Sequence, residues 1–155
     1  MKYLQLAGLC LLLSSICAIT SSAQLTIPLN EPDKTRPELF ANLPDKIPVD
    51  MTALQNLLIA ETGKDVSLKP TQGMNGSFEG KVISKADDNA FHSVVIRLGN
   101  FNGATFTLSS ATQPNGAVYF TGRIISFRHA DLYVLQSQND QYILVKKNFY
   151  DLINE

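Results

Sequence analysis

A chain of 155 residues with 13 basic and 14 acidic side chains is close to neutral, so no strong field draws it to nucleic acid or to an anionic membrane. Its 45% hydrophobic content suffices for one domain with its own core. Both cysteines, Cys10 and Cys17, fall within the first 23 residues, so the rest of the chain has no disulfide, no thiolate metal ligand and no cysteine nucleophile.

Met1 to Ala23 carries one charge at Lys2, an apolar stretch from Leu4 to Ile19, and the small polar run Thr20-Ser21-Ser22-Ala23. This three-part order predicts a secretory signal peptide cut after Ala23, because the peptidase accepts small side chains at Ser21 and Ala23. A lipoprotein reading would acylate Cys17, but Ile16 stands where a small residue normally precedes that cysteine. The processed chain would begin at Gln24 with 132 residues and a net charge of −2, since only Lys2 leaves with the leader. Export without disulfides suits a bacterial periplasm or the outside of the cell. No later apolar run reaches the roughly 20 residues of a membrane-spanning helix, so no transmembrane segment is expected. Asn75-Gly76-Ser77 matches a glycosylation sequon but reads better as a polar turn before a strand.

Pro28, Pro32, Pro37, Pro44 and Pro48 crowd residues 24–48, and proline at that density blocks helix and ladder alike. An extended arm is expected there, with Leu39, Phe40 and Leu43 able to pin it. A single β-rich domain should fill 49–155. Asp50 is an N-cap before an apolar stripe at Met51, Leu54, Leu57 and Leu58, and Gly63 lies beyond, so a helix is predicted over about 51–61. Period-two stretches then predict six strands at 78–85, 93–98, 104–109, 117–127, 131–136 and 141–147. Val94, Ile96 and Leu98 share one face of the second, while Phe106 and Leu108 share one face of the third. Asn102-Gly103 accepts the positive φ angles of a hairpin, and Ser137 to Asp140 is a second short connection that forces antiparallel neighbours.

Phe78-Glu79-Gly80-Lys81-Val82-Ile83-Ser84 recurs as Phe120-Thr121-Gly122-Arg123-Ile124-Ile125-Ser126, an offset of 42. This internal repeat predicts two three-stranded meanders forming a six-stranded antiparallel sandwich or barrel, with the helix plugging an end or covering a face. Each repeated glycine should mark a bend, a bulge or a close crossing.

No motif carries chemistry. His92 and His129 stand 37 positions apart without metal-ligand spacing, even with Asp87, Asp88 and Asp131 nearby. Gly-x-Ser-x-Gly is missing, and the aspartates lie in turns, where backbone geometry favours them. No catalytic residue, metal or cofactor is therefore assigned, and the chain reads as a non-enzyme. Arg97, Arg123, Arg128, Lys146 and Lys147 read as a solvated face that also discourages edge pairing. The residues most available to a partner are those of two turns, Asn100, Phe101 and Asn102 in one, Arg128 and His129 in the other. The tail's Phe149, Leu152 and Ile153 are expected to close the core.

The leader, the proline-rich arm, the short helix and the Phe-x-Gly-[Lys/Arg] strands from Phe78 to Lys147 resemble small exported bacterial β modules. The pro-regions ahead of secreted metallopeptidases are among them. A chain ending at Glu155 without a His-Glu-x-x-His segment departs from those precursors. The resemblance implies a secreted protein-binding module acting as partner, inhibitor or chaperone of an exported peptidase, through a strand edge or hairpin loop. A structural or surface-associated envelope domain is the alternative, and a small hydrolase has the least support.

Overall fold

The computed structural model describes residues 35–153, so the expected leader with its two cysteines and the first part of the arm lie outside the described residues. Eight strands form one antiparallel sheet: β1 (Lys46–Val49), β2 (Asp65–Leu68), β3 (Phe78–Asp88), β4 (Phe91–Leu98), β5 (Thr105–Thr112), β6 (Val118–Ile125), β7 (Asp131–Gln138) and β8 (Gln141–Asn148). The helix α1 (Met51–Ile59) joins β1 to β2, and a 3-10 turn (Phe149–Ile153) follows β8. No described helix is long and apolar enough to cross a membrane.

The mainly β class and the single helix stand as expected. The six-stranded sandwich or barrel of two meanders does not. Spatial order runs β1-β8-β7-β6-β5-β4-β3-β2, so β2 to β8 is one unbroken meander, curled into a half-barrel. The assumed boundary between meanders is itself a hairpin. β5 and β6 pair from Thr105↔Ile125 to Thr112↔Val118 across a short turn in which Gly116 takes φ +83°. A connection that short leaves the two strands no choice but to pair.

The two strands missing from the sequence reading are short and lie at the edges. β1 contains Pro48, which pairs only with Ile143 of β8 and turns its carbonyl to Thr71 at 3.0 Å. Proline lacks a donor, which an edge strand tolerates. β2 pairs with the start of β3 through Leu68↔Phe78 to Asp65↔Lys81.

One face of each strand and the buried side of α1 meet in a single core. Val94, Ile96 and Leu98 are buried on β4, Phe106 and Leu108 on β5, and Leu54, Leu57 and Leu58 on α1. Asp50 caps the helix by accepting from the Thr52 N–H at 2.6 Å, and these hydrogen bonds hold its carboxyl below the ordinary aspartate range. Met51, the first residue of the expected stripe, is instead 45% exposed.

The repeated glycines, on β3 and β6, share a physical role. A Cβ on Gly80 would collide with the Arg97 carbonyl oxygen and lie 2.8 Å from Ile96 Cγ2. One on Gly122 would lie 2.8 Å from the Thr107 carbonyl oxygen. Both strands lie tight against a neighbour there, and near Gly80 the pairing slips by one residue between Val82 and Ser84.

A strap from Arg36 to Asp45 closes one end of the curl. Asp131, buried at 4% exposure, accepts from the N–H groups of Leu39 at 2.6 Å and Phe40 at 2.7 Å. Phe40 is thereby set against Tyr133 and Phe101, with ring centroids 5.0 and 5.6 Å away. The Tyr133 hydroxyl donates to Pro44 O and the Lys146 ammonium to Leu43 O, each at 2.5 Å. Burial, then the nearby carboxylates of Asp131 and Asp45, push the Tyr133 phenol well above its ordinary range, so it stays a donor.

Two stability outcomes are expected. Gly80→Ala should cost about 1–3 kcal/mol, the usual range for overpacking, because its collision is with backbone. An unchanged urea midpoint would contradict the close approach. Asp131→Ala orphans two backbone donors, each worth about 1–3 kcal/mol when buried. Hydrogen exchange should then accelerate at Leu39 and Phe40 before the rest of the core, and uniform loss of protection would contradict the strap.

Candidate functional site

The two turns singled out from sequence flank the strap. Asn100 is tied down on both sides, its Nδ2 donating to Ser77 O at 2.7 Å and its Oδ1 accepting from Glu79 N at 3.2 Å. Phe101 packs into the core's edge, 5.2 Å from the Phe78 ring and 5.6 Å from Phe40. Asn102 supplies φ +47° for the turn, as its Asn-Gly pair suggested. Arg128 is exposed, while His129 is half-buried with Nδ1 2.7 Å from Ser126 Oγ. Of these five residues, Asn100, Asn102 and Arg128 are exposed to solvent.

His92 lies elsewhere. Its row across the sheet reads Asp87↔His92, His92↔Ser110 and Ser110↔Phe120, five residues of β5 away from the row of Thr105 and Ile125 that precedes His129. The two histidines therefore do not meet, and the described residues hold no group of three potential metal ligands.

That row floors an open groove of about 460 Å³ at the end of the curl opposite the strap. The size falls in the range of binding clefts, and a helix crossing the mouth of a curled sheet is a usual place for one. Leu58 and Ile59 of α1 form one wall, and Val118 and Phe120 of β6 line the other side. Ile59 is 71% exposed and Val118 47%, so this apolar surface faces water. Phe120 is held in place from below: its N–H donates to the Tyr142 hydroxyl at 3.1 Å, and the two rings stack edge to face at 5.3 Å.

Polar groups enter from β3 and β4. Asp87 bridges two cations or donors, its Oδ1 3.0 Å from His92 Nδ1 and its Oδ2 3.0 Å from Lys85 Nζ. Hydrogen bonds from His92 first and Lys85 second hold the Asp87 carboxyl below the ordinary aspartate range. Ser110 is 5% exposed, and no hydrogen bond joins its hydroxyl to another described side chain. No buried side-chain polar atom among the described residues lacks a partner, so the Ser110 hydroxyl faces the groove.

A carboxylate, an imidazole and a hydroxyl on adjacent strands invite comparison with a hydrolytic triad. The geometry differs from one in two respects. His92 bonds to Asp87 and not to Ser110, and β5 is paired on both sides, so the backbone N–H groups around Ser110 are spent in ladders rather than aimed at an oxyanion.

Sequence reasoning missed this groove because its walls come from one helix and four strands. A faint signal existed: Lys85, Asp87 and His92 occupy inward-facing register positions where apolar residues would continue the core, and Ile59 is apolar but off the helix stripe. No protein-family model, curated protein or solved structure matches the chain.

A lowered pKa on Asp87 means that its clip to His92 and Lys85 stabilises the fold above the ordinary aspartate value. That contribution is lost as pH falls through the lowered one. Carboxyl-carbon NMR should place the Asp87 midpoint below about 3.9, and His92→Ala should raise it. A parent midpoint at or above that value contradicts the clip.

Proposed function

We propose that this chain is an exported, non-enzymatic binding module that grips a segment of another exported protein in the groove between α1 and strands β3 to β6. The observation that carries this reading is the gathering of water-facing apolar side chains, Ile59 and Val118 above all, around one concave site that nothing in the described chain covers. A concave apolar surface with a few polar groups suits a ligand, and contiguous exposed apolar surface marks association.

Support for a protein rather than a compact solute comes from the edge beside the groove. β2 pairs with β3 only as far as Lys81, and the loop before β2 adds hydrogen bonds at Val82. From Ser84 to Asp88 no strand pairs with β3 on the side away from β4. An extended segment can add there by main-chain hydrogen bonds while its side chains enter the groove. The inward charges Lys85 and Asp87 and the irregularity at Val82 and Ser84 keep that edge from pairing indiscriminately. An exported peptidase is the partner class the sequence resemblance suggests. The envelope-domain alternative needs the chain to be held by the cell surface rather than by a soluble partner.

A photo-crosslinking residue at position 59, in the full chain expressed and exported by its own host, tests the reading. The expected result is an adduct with one exported polypeptide, lost when Val118→Asp is added and retained when Arg128→Ala is added instead. Adducts that survive Val118→Asp, or that form only with envelope components, contradict it.

A further inference from the structure

We infer that the groove recognises the free C-terminus of its partner, taking an apolar last residue between Ile59 and Val118 and the terminal carboxylate at Lys85 and Ser110. This inference rests on the binding-module reading above and specifies which part of the partner enters.

The argument is one of unspent hydrogen-bonding capacity. Asp87 is the groove's one carboxylate and each of its oxygens is already engaged, Oδ1 by His92 and Oδ2 by Lys85. About two of its four lone-pair sites are thereby filled, and the Lys85 ammonium answers its charge. The donors are in surplus. Lys85 carries three N–H groups and makes one bond, to Asp87, and the Ser110 hydroxyl makes none among the described residues while facing the groove. Lys85 is also the most shielded member of the cluster, its side chain 24% exposed against 49% for Asp87 and 46% for His92, and a charge-assisted bond gains strength where water is partly excluded. A site with spare N–H and O–H donors set beside apolar walls complements an acceptor carrying negative charge on an apolar body.

Both a polypeptide end and a free apolar acid present that chemistry. The open edge of β3 from Ser84 to Asp88 favours the polypeptide, because Lys85 lies on that edge. A chain pairing along it delivers its final carboxylate to the ammonium without a turn. A free acid makes no use of the edge.

The test is a titration of the full processed chain, followed by backbone and methyl NMR, with three probes: acetyl-Gly-Gly-Val-Leu bearing a free carboxylate, the same peptide as its C-terminal amide, and octanoate. The free peptide is expected to shift Ile59, Ser110 and Val118 together with the amides of Ser84 to Asp88, and to bind about tenfold or more tightly than the amide, the worth of one good charge-assisted bond. Lys85→Met should remove that difference, and Ile59→Ser, at an exposed position, should weaken both peptides alike. Equal binding of acid and amide overturns the carboxylate assignment. Octanoate binding as tightly as the free peptide, without shifts at Ser84 to Asp88, overturns the polypeptide end in favour of a free acid. No binding by any probe, with the position-59 crosslink intact, overturns the C-terminal mode while leaving the binding module standing. Loss of the crosslink as well removes both.

Discussion

The architecture follows from a mismatch of lengths. A sheet whose central strands run eight residues or more spans roughly 27 Å at 3.3–3.4 Å per residue, whereas nine helical residues cover about 13.5 Å. One short helix cannot cover the apolar inner face of a curled eight-stranded sheet from end to end. Something else must close one end, and the other stays open. At one end the strap does the closing, with Phe40 held against Tyr133 and Phe101 by the Asp131 carboxylate. At the other the inner face continues past Leu58 into water, and there the groove forms.

The residues along that open inner face change character where the helix ends. Deep in the curl the inward positions of β4 and β5 are Ile96, Val94, Phe106 and Leu108, all buried. One step further out they become His92 and Ser110, with Lys85 and Asp87 beside them on β3. The polar side chains of Lys85, Asp87 and His92 stay hydrated where apolar ones would be left facing water. They also leave a lip in which Asp87 organises His92 and Lys85 while donors remain free. Apolar wall and polar lip thus come from the same shortfall of helix, and the unpaired β3 edge from β2 reaching no further than Lys81.

Much of this was legible in the sequence. Period-two alternation located all six long strands, and the inward sets on β4 and β5 were assigned correctly, because a one-residue slip would turn every apolar side chain to water. Asp50 as N-cap and Asn102-Gly103 as a positive-φ turn were readable from local chemistry. β1 and β2 were not. Four residues give too little periodicity, and Pro48 argued against a strand until its edge position explained it. Counting two meanders failed because the repeated motif drew a boundary at a hairpin that the short connection had already forbidden. The turn residues legible as partner loops proved partly committed to the fold: Asn100 latches Ser77 and Glu79, and Phe101 completes the aromatic cluster at the strap. The groove was illegible for a general reason. Its lining is assembled by register across four strands, and register is a tertiary fact that a single chain order does not display.

The most direct test of this account compares two positions on the inner face of β5, in residues 24–155, which hold no cysteine of their own. Leu108→Cys, buried under the helix, and Ser110→Cys, at the groove floor, are each exposed to a small thiol-specific reagent under native conditions. The account predicts that Cys at position 110 reacts in the folded state while Cys at 108 reacts only as fast as the protein unfolds. Equal protection at both positions would show that the inner face is closed to its end, and would contradict the groove.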